Sequence, residues 1–146
     1  MCCVSKRPVV AAAILDSLRH PTQVLCAARA YPQELAGLFE LPGGKVEDGE
    51  IPEQALAREI REELGTQIDL GARIAGPLDG WWPILQGRRM GVWLAEVRPG
   101  SPRPERGSSH LELRWVPLDR VGALQWVGHD LPIVRAAVAT ALMHRP

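Results

Sequence analysis

The stretch from Gly43 to Gly65, GGKVEDGEIPEQALAREIREELG, constrains this chain more than any other part of it. It reads as a glycine-rich loop feeding one helix. Gly43, Gly44 and Gly49 supply a flexible, close-approach backbone, Pro52 suits a first helical turn, and Gly65 stands where a C-cap glycine ends a helix. A helix is therefore predicted from Pro52 to Leu64. At about 100° per residue, Leu56, Ala57, Ile60 and Leu64 fall on one arc, the side expected against a core.

The charge on this helix needs an explanation. Five of the seventeen Asp and Glu residues lie within the last sixteen positions of the stretch. Glu59 lies three residues before Glu62 and four before Glu63, so three carboxylates are neighbours on one face, while Arg58 and Arg61 point to another side. Like charges at that spacing repel by a few tenths of a kcal/mol per pair in water, and by more where water is partly excluded. Two arrangements answer this: a solvated acidic face neutralised by Arg58, Arg61 and Lys45, or a site for a hard divalent cation. Mg²⁺ takes oxygen ligands and is commonly bound together with substrate phosphates.

A resemblance carried by the wider pattern decides between them. Gly44, five residues, Glu50, seven residues, then Arg58-Glu59-Ile60-Arg61-Glu62-Glu63-Leu64-Gly65 resembles the Nudix box, GX5EX7REUXEEXGU, where U is a bulky aliphatic residue. Thr66 departs from it at the last position. The resemblance implies an α/β fold, a Nudix-like α/β/α sandwich with a mixed sheet between the box helix and a C-terminal helix, in a single domain over residues 1–146. It also implies a MutT-type enzyme that converts (deoxy)nucleoside triphosphates and water to monophosphate and pyrophosphate with Mg²⁺, or Mn²⁺ in its place. In that reading Glu59, Glu62 and Glu63 are metal ligands, one of them able to orient or deprotonate water. The main-chain carbonyl of Gly43 also faces the metal, Glu50 and Arg58 orient the loop and a ligand carboxylate, and Lys45 assists.

Length and composition agree with one domain built for a small ligand. The chain has 146 residues, 46% of them hydrophobic, enough for one core. Seventeen basic and seventeen acidic residues leave no net charge, so nothing in the overall field points to a nucleic-acid polymer or a membrane. Cys2, Cys3 and Cys26 are an odd set without metal-ligand spacing, Met1 to Arg7 lacks the apolar run of a signal peptide, and Val9 to Leu15 is too short to span a bilayer. A cytoplasmic location is expected, and relatives of this kind are often homodimers.

Along the chain, Val9–Leu15 and Val24–Ala28 read as buried strands, the second delivering Arg29 at its exit. Arg29 either caps the strand in solvent or clamps an anion; the resemblance to MutT-type enzymes implies a phosphate clamp. LAGLFELPGG approaches the box, with Phe39 where tryptophan is common, and Leu38 and Leu41 expected in the core. Ile68–Ala75 and Met90–Val97 are strand candidates. Between them Trp81 and Trp82 offer hydrophobic cover or a base platform, while Arg88 and Arg89 meet phosphate or end a hairpin. PGSPRPERGSS, residues 99–109, reads as a mobile loop.

HLELRWVP, residues 110–117, resembles the family's EHxELRW strand, but Ser109 stands where many relatives place a catalytic or metal-binding glutamate. Glu105 or Glu112 is the expected substitute. Residues 118–124 suggest a short helix, and Ile133, Val134, Ala137, Val138, Ala141 and Leu142 follow helical spacing near the C-terminus. Asp130 is either the N-cap of that helix or a nucleobase contact, the second implied by the resemblance. An ionised carboxylate only accepts hydrogen bonds, which favours a base with an amino donor such as cytosine. Trp126-Val127-x-x-Asp130 resembles a subgroup acting on CTP, dCTP and 5-methyl-dCTP. The alternatives are an 8-oxo-dGTP pyrophosphohydrolase and a nucleotide-sensing module without turnover.

Overall fold

The computed structural model describes residues 6–128 and 130–143. Two consecutive runs of small and branched apolar residues set the architecture. VVAAAIL forms β1 (Val9–Leu15) and QVLCAAR forms β2 (Gln23–Arg29), and both are buried almost throughout, as strands covered on two faces must be. β1 and β2 meet through Leu15 and Val24, and the gap beside them takes two short strands, β3 (Phe39–Glu40) on β2 and β4 (Gly43–Lys45) on β1. Leu41 and Pro42, both buried, bridge the two short strands.

The predicted helix is α1 (Pro52–Leu64), and it ends on Gly65 in the left-handed conformation with φ 66°. β5 (Ile68–Ile74), β6 (Trp82–Pro83), β7 (Arg89–Val97) and β8 (His110–Pro117) complete an eight-stranded sheet, and α2 (Asp130–Met143) closes the chain. β7 runs parallel to β1 along the whole of β1, from Met90 to Glu96, whereas the other pairings are antiparallel, so the sheet is mixed. Residues 118–123 form a 3₁₀ turn.

Alternation along β1 sorts the core into two layers. Val10, Ala12 and Ile14 face α1 together with Leu25, Trp93, Leu56, Ile60 and Leu64. Ala11, Ala13 and Leu15 face the opposite side with Val92, Leu94, Ile133, Val134, Ala137 and Ala141. The expected sandwich of helix, mixed sheet and helix is what the chain builds.

Two assignments at helix faces are corrected. Ala57 is exposed and Ala55 is buried in its place, because the packed arc of α1 is centred nearer the carboxylates than the apolar spacing suggested. Leu142 is exposed near the end of α2. Thr66, the one departure from the box pattern, is buried, and its hydroxyl donates to the Pro102 carbonyl; Glu105 N–H donates to the Leu64 carbonyl at 3.0 Å. These bonds pin the 99–109 loop to the end of α1. Cys26 is buried in the core, which pushes its thiol up to about 12, and Cys2 and Cys3 lie outside the described residues. No helix among the described residues is long and apolar enough to cross a membrane.

Candidate functional site

A cleft of about 800 Å³ opens where β1, β3, β4 and α1 meet. Its wall on one side is the box: Gly43, Gly44, Lys45, Glu59, Glu62 and Glu63. The fit between loop and helix depends on two absent side chains. A Cβ on Gly43 would run into the Val10 carbonyl on β1, and one on Gly44 would run into the Glu59 carboxylate. The glycines bring the loop backbone against both the strand and the acidic face.

Arg58 stands behind this wall and does not line the cleft. Its guanidinium grips Glu50 through two bonds, Nε to Oε2 at 2.8 Å and Nη2 to Oε1 at 2.9 Å. It also donates to the Lys45 carbonyl at 3.0 Å, to Glu59 Oε1 at 2.7 Å and to Glu62 Oε2 at 3.3 Å. This bidentate partner holds the Glu50 carboxyl down at about 2, and the carboxylates in turn raise Arg58 further above its usual range. Loop, helix and two cleft carboxylates are thereby fixed to one planar cation. Arg58 and Glu50 act on position.

Glu63 is different. On the helical wheel it projects beside Leu56, and its side chain is only 15% exposed. Burial, a hydrogen bond and charge from Glu59, and the Glu40 charge push its carboxyl up to about 8, with Arg29 pulling the other way. A buried acid pressed against other acids takes up either a proton or a cation. Among the described residues no three His, Cys, Asp or Glu side chains converge tightly enough to hold a metal in this arrangement, in which Arg58 engages Glu59 and Glu62. The donors available around the cleft are nevertheless carboxylate and main-chain oxygens, the set a hard divalent cation takes. The raised Glu63 carboxyl is what such a cation would relieve.

The far wall carries the other expected residues. Arg29 ends β2 at a bulge and reaches the cleft, where Nη1 donates to Glu40 Oε1 at 2.9 Å and Nε to the Tyr31 carbonyl at 3.0 Å. Asp130 opens α2 and lines the same cleft, where burial and the Glu40 charge push its carboxyl up to about 7 against the pull of Arg29. Arg29, Lys45, Asp130 and the three glutamates thus share one cavity, with Val9, Leu41, Ile84, Leu85, Met90 and Val127 as apolar lining.

Neither expected substitute for the glutamate missing at position 109 reaches the cleft. Glu112 pairs with Arg114 at 2.9 Å on β8 and is turned away, and Glu105 is exposed on the loop while Ser108 and Ser109 line the cavity. The acid that is present on this side is Glu40, which the sequence reading passed over together with His110. His110 is 1% exposed, its Nε2 lies 2.9 Å from Glu40 Oε2, and its Nδ1 has no partner among the described residues. One signal could have found the pair: a glutamate directly before the apolar-proline turn into the loop, and a histidine entering a strand beside a serine.

The tryptophan pair divides. Trp82 donates its indole N–H to the Ile74 carbonyl at 2.9 Å and packs on the core. Trp81 has the guanidinium groups of Arg73 and Arg89 at 4.8 and 4.7 Å from its ring centre, outside the cleft, whereas Arg88 lines it. Neither indole is a platform in the main cavity.

Similar proteins are known. The family model described as NUDIX domain matches residues 5–137. The chain is 39% identical over 111 residues to the putative 8-oxo-dGTP diphosphatase 2 of Mycobacterium tuberculosis, covering 73% of each. It is 44% identical over 66 residues to the CTP pyrophosphohydrolase of Escherichia coli, covering 45% of this chain and 47% of that protein. Among solved structures, that of the E. coli ORF135 protein superposes with a TM-score of 0.71 at 30% identity, over 92% of this chain and 90% of the other.

Proposed function

The chain belongs to the Nudix family as a MutT-type hydrolase acting on nucleotides, and from that premise we propose that it cleaves cytidine triphosphates, dCTP, CTP and 5-methyl-dCTP, to monophosphate and pyrophosphate. The observation that carries the choice of base is Asp130, a carboxyl lining the cleft and held up at about 7. Near its pKa an acid offers one donor and one acceptor side by side. The cytosine Watson–Crick edge, with N3 accepting and N4–H donating, complements that pair, whereas guanine met on its O6 and N7 edge presents two acceptors.

A second reading rests on the same atom. An 8-oxoguanine base has a proton on N7, so its edge also presents one acceptor and one donor. The relative matched over 111 residues carries the name 8-oxo-dGTP diphosphatase, which supports this alternative. Both readings place the base at the Asp130 end and the triphosphate toward the box.

Phosphoryl transfer asks the protein to position an in-line water and to neutralise developing charge. Arg29 and Lys45 hold phosphate oxygens. Glu59, Glu62 and Glu63, with the main chain at Gly43, would hold Mg²⁺, or Mn²⁺ in its place. The ion supplies charge neutralisation for the phosphate when bound. One of the three glutamates orients the attacking water and accepts its proton, and Arg58 with Glu50 keeps the set in register. All of this sits in one domain.

The test is pyrophosphate release from dCTP, CTP, 5-methyl-dCTP, 8-oxo-dGTP and dGTP, and nucleotide-product release from ADP-ribose and diadenosine polyphosphates, with Mg²⁺ and with EDTA. Mg²⁺-dependent turnover led by the cytidine nucleotides supports the first reading. A lead for 8-oxo-dGTP over dGTP moves the assignment to the second. Equal rates on dCTP and dGTP would remove Asp130 as the basis for either.

A further inference from the structure

We propose that His110 is a positioning residue for the phosphate-binding cation Arg29, and that it acts through Glu40. The inference rests on the reading that Arg29 holds substrate phosphate. Three strands bring the residues together. β2 pairs with β3 at Ala27–Glu40 and Ala28–Phe39, and with β8 at Arg29–His110, where the register shifts by a bulge between Ala28 and Arg29. A bulge re-aims the side chain it carries. Here it leaves Arg29, Glu40 and His110 in one chain of contacts at the cleft.

Glu40 is held from both sides. Oε1 accepts from Arg29 Nη1 at 2.9 Å, and Oε2 accepts from His110 Nε2 at 2.9 Å. A carboxylate only accepts, so Nε2 carries the proton in this bond. The nearest oxygen of Glu63 is 3.7 Å from the same nitrogen, too far to compete for it. With Nη1 aimed at Glu40 and Nε committed to the Tyr31 carbonyl, the remaining guanidinium N–H groups are left for an anion. Remove the His110 donor and Glu40 is free to turn. A free Glu40 can chelate Arg29 with both oxygens and draw the cation away from the phosphate.

The other ring nitrogen separates this role from mere packing. His110 is 1% exposed, and its Nδ1 is a buried polar atom without a partner among the described residues. Buried polar atoms are ordinarily satisfied, and an apolar ring would fill the space without that cost. What the imidazole supplies that an apolar ring lacks is the Nε2 donor to Glu40.

The experiment is steady-state kinetics on dCTP and 8-oxo-dGTP for H110Q, H110F, H110A, E40Q, the double variant E40Q/H110A, and R29A. H110F and H110A, which lack the donor, are expected to raise KM by about tenfold or more while kcat stays within about threefold; H110Q, which restores an N–H donor, keeps both within about threefold of wild type. In the E40Q background, H110A adds less than about twofold, because the two changes break one linkage. H110F fills the ring volume, so it carries the test should H110A fail to fold. Unchanged KM in a folded H110F, or equal losses in H110F and H110Q, would overturn the proposal. R29A reports on the premise separately: if it leaves KM unchanged, the phosphate-clamp reading fails and takes the proposal with it, whereas a raised KM in R29A with an unchanged one in H110F defeats the proposal alone.

Discussion

Asp130→Asn is expected to stabilise the protein progressively more as pH rises from 5 to 8. Burial and the Glu40 charge lift this carboxyl from 3.8 to about 7 in the folded chain. At pH 5 the folded form is protonated and the unfolded form is ionised, so folding takes up a proton and the acid suits its buried place. At pH 8 both forms are ionised, and the folded state carries a poorly solvated charge. A raised carboxyl pKa therefore contributes stability at low pH that is lost as pH rises toward the folded value. Between pH 5 and a pKa near 7 the gap is about two units, worth about 2.7 kcal/mol at 1.36 kcal/mol per unit. Partial solvation of the cleft trims this to about 1–2 kcal/mol. Asn has no charge to bury and lacks that dependence. The assay is urea unfolding of wild type and D130N in EDTA at pH 5, 6.5 and 8, comparing ΔΔG across pH so that every other titrating group cancels. A ΔΔG that stays flat within about 0.5 kcal/mol would refute the argument that Asp130 is held against its charge.

A second substitution tests the base: D130A, which removes both the donor and the acceptor, should lower kcat/KM for dCTP by about tenfold or more, whereas D130N, whose amide offers one of each, should stay within about threefold; an unchanged kcat/KM in D130A would break the link between this residue and the base. Gly44→Ala should fold but lose about 10²-fold in kcat, because the added methyl displaces Glu59; Gly43→Ala meets the β1 backbone instead and should fail to give a cooperative thermal transition. Glu63→Gln should abolish most Mg²⁺-dependent pyrophosphate release while raising Tm at pH 8.5 in EDTA, since it removes an acid held up at about 8. Arg58→Lys should lower Tm by roughly 5 °C, because an ammonium cannot make the two parallel bonds to Glu50; an unchanged melting curve would show that the clamp is not structural.

How far the sequence could carry this depended on whether a residue's role is set by its neighbours in the chain or across the sheet. α1 was legible from end to end, because Pro52, the apolar spacing and Gly65 are all local signals. β1 and β2 were legible as apolar runs, although nothing in them announces that they diverge and admit β3 and β4. The arc of α1 was misjudged at Ala57 because a wheel gives angles without saying where the sheet lies, and the short Ala55 is what lets the helix come close. Glu40 and His110 are seventy positions apart and meet only because β3 and β8 both pair with β2. Glu105 and Glu112 looked like replacement acids because both lie close to Ser109 in the chain, but nearness in sequence does not say which way the cleft lies, and Glu112 pairs with Arg114 instead.

The partners of the acids in and beside the cleft sort them by task. Glu50, Glu59 and Glu62 each lie within reach of Arg58, and Glu40 is held by Arg29 and His110. Each of these is fixed in place by a cationic or hydrogen-bonding group. Glu63 and Asp130 have no guanidinium within salt-bridge distance among the described residues, and both are carboxyls that burial and neighbouring charge hold up. A fold that placed every acid for stability would have paired these two as well. They are the two positions where the proposed reaction brings its own partner, a cation to Glu63 and a base edge to Asp130. In the proposed reaction those partners would offset the burial and neighbouring charge that hold each carboxyl up.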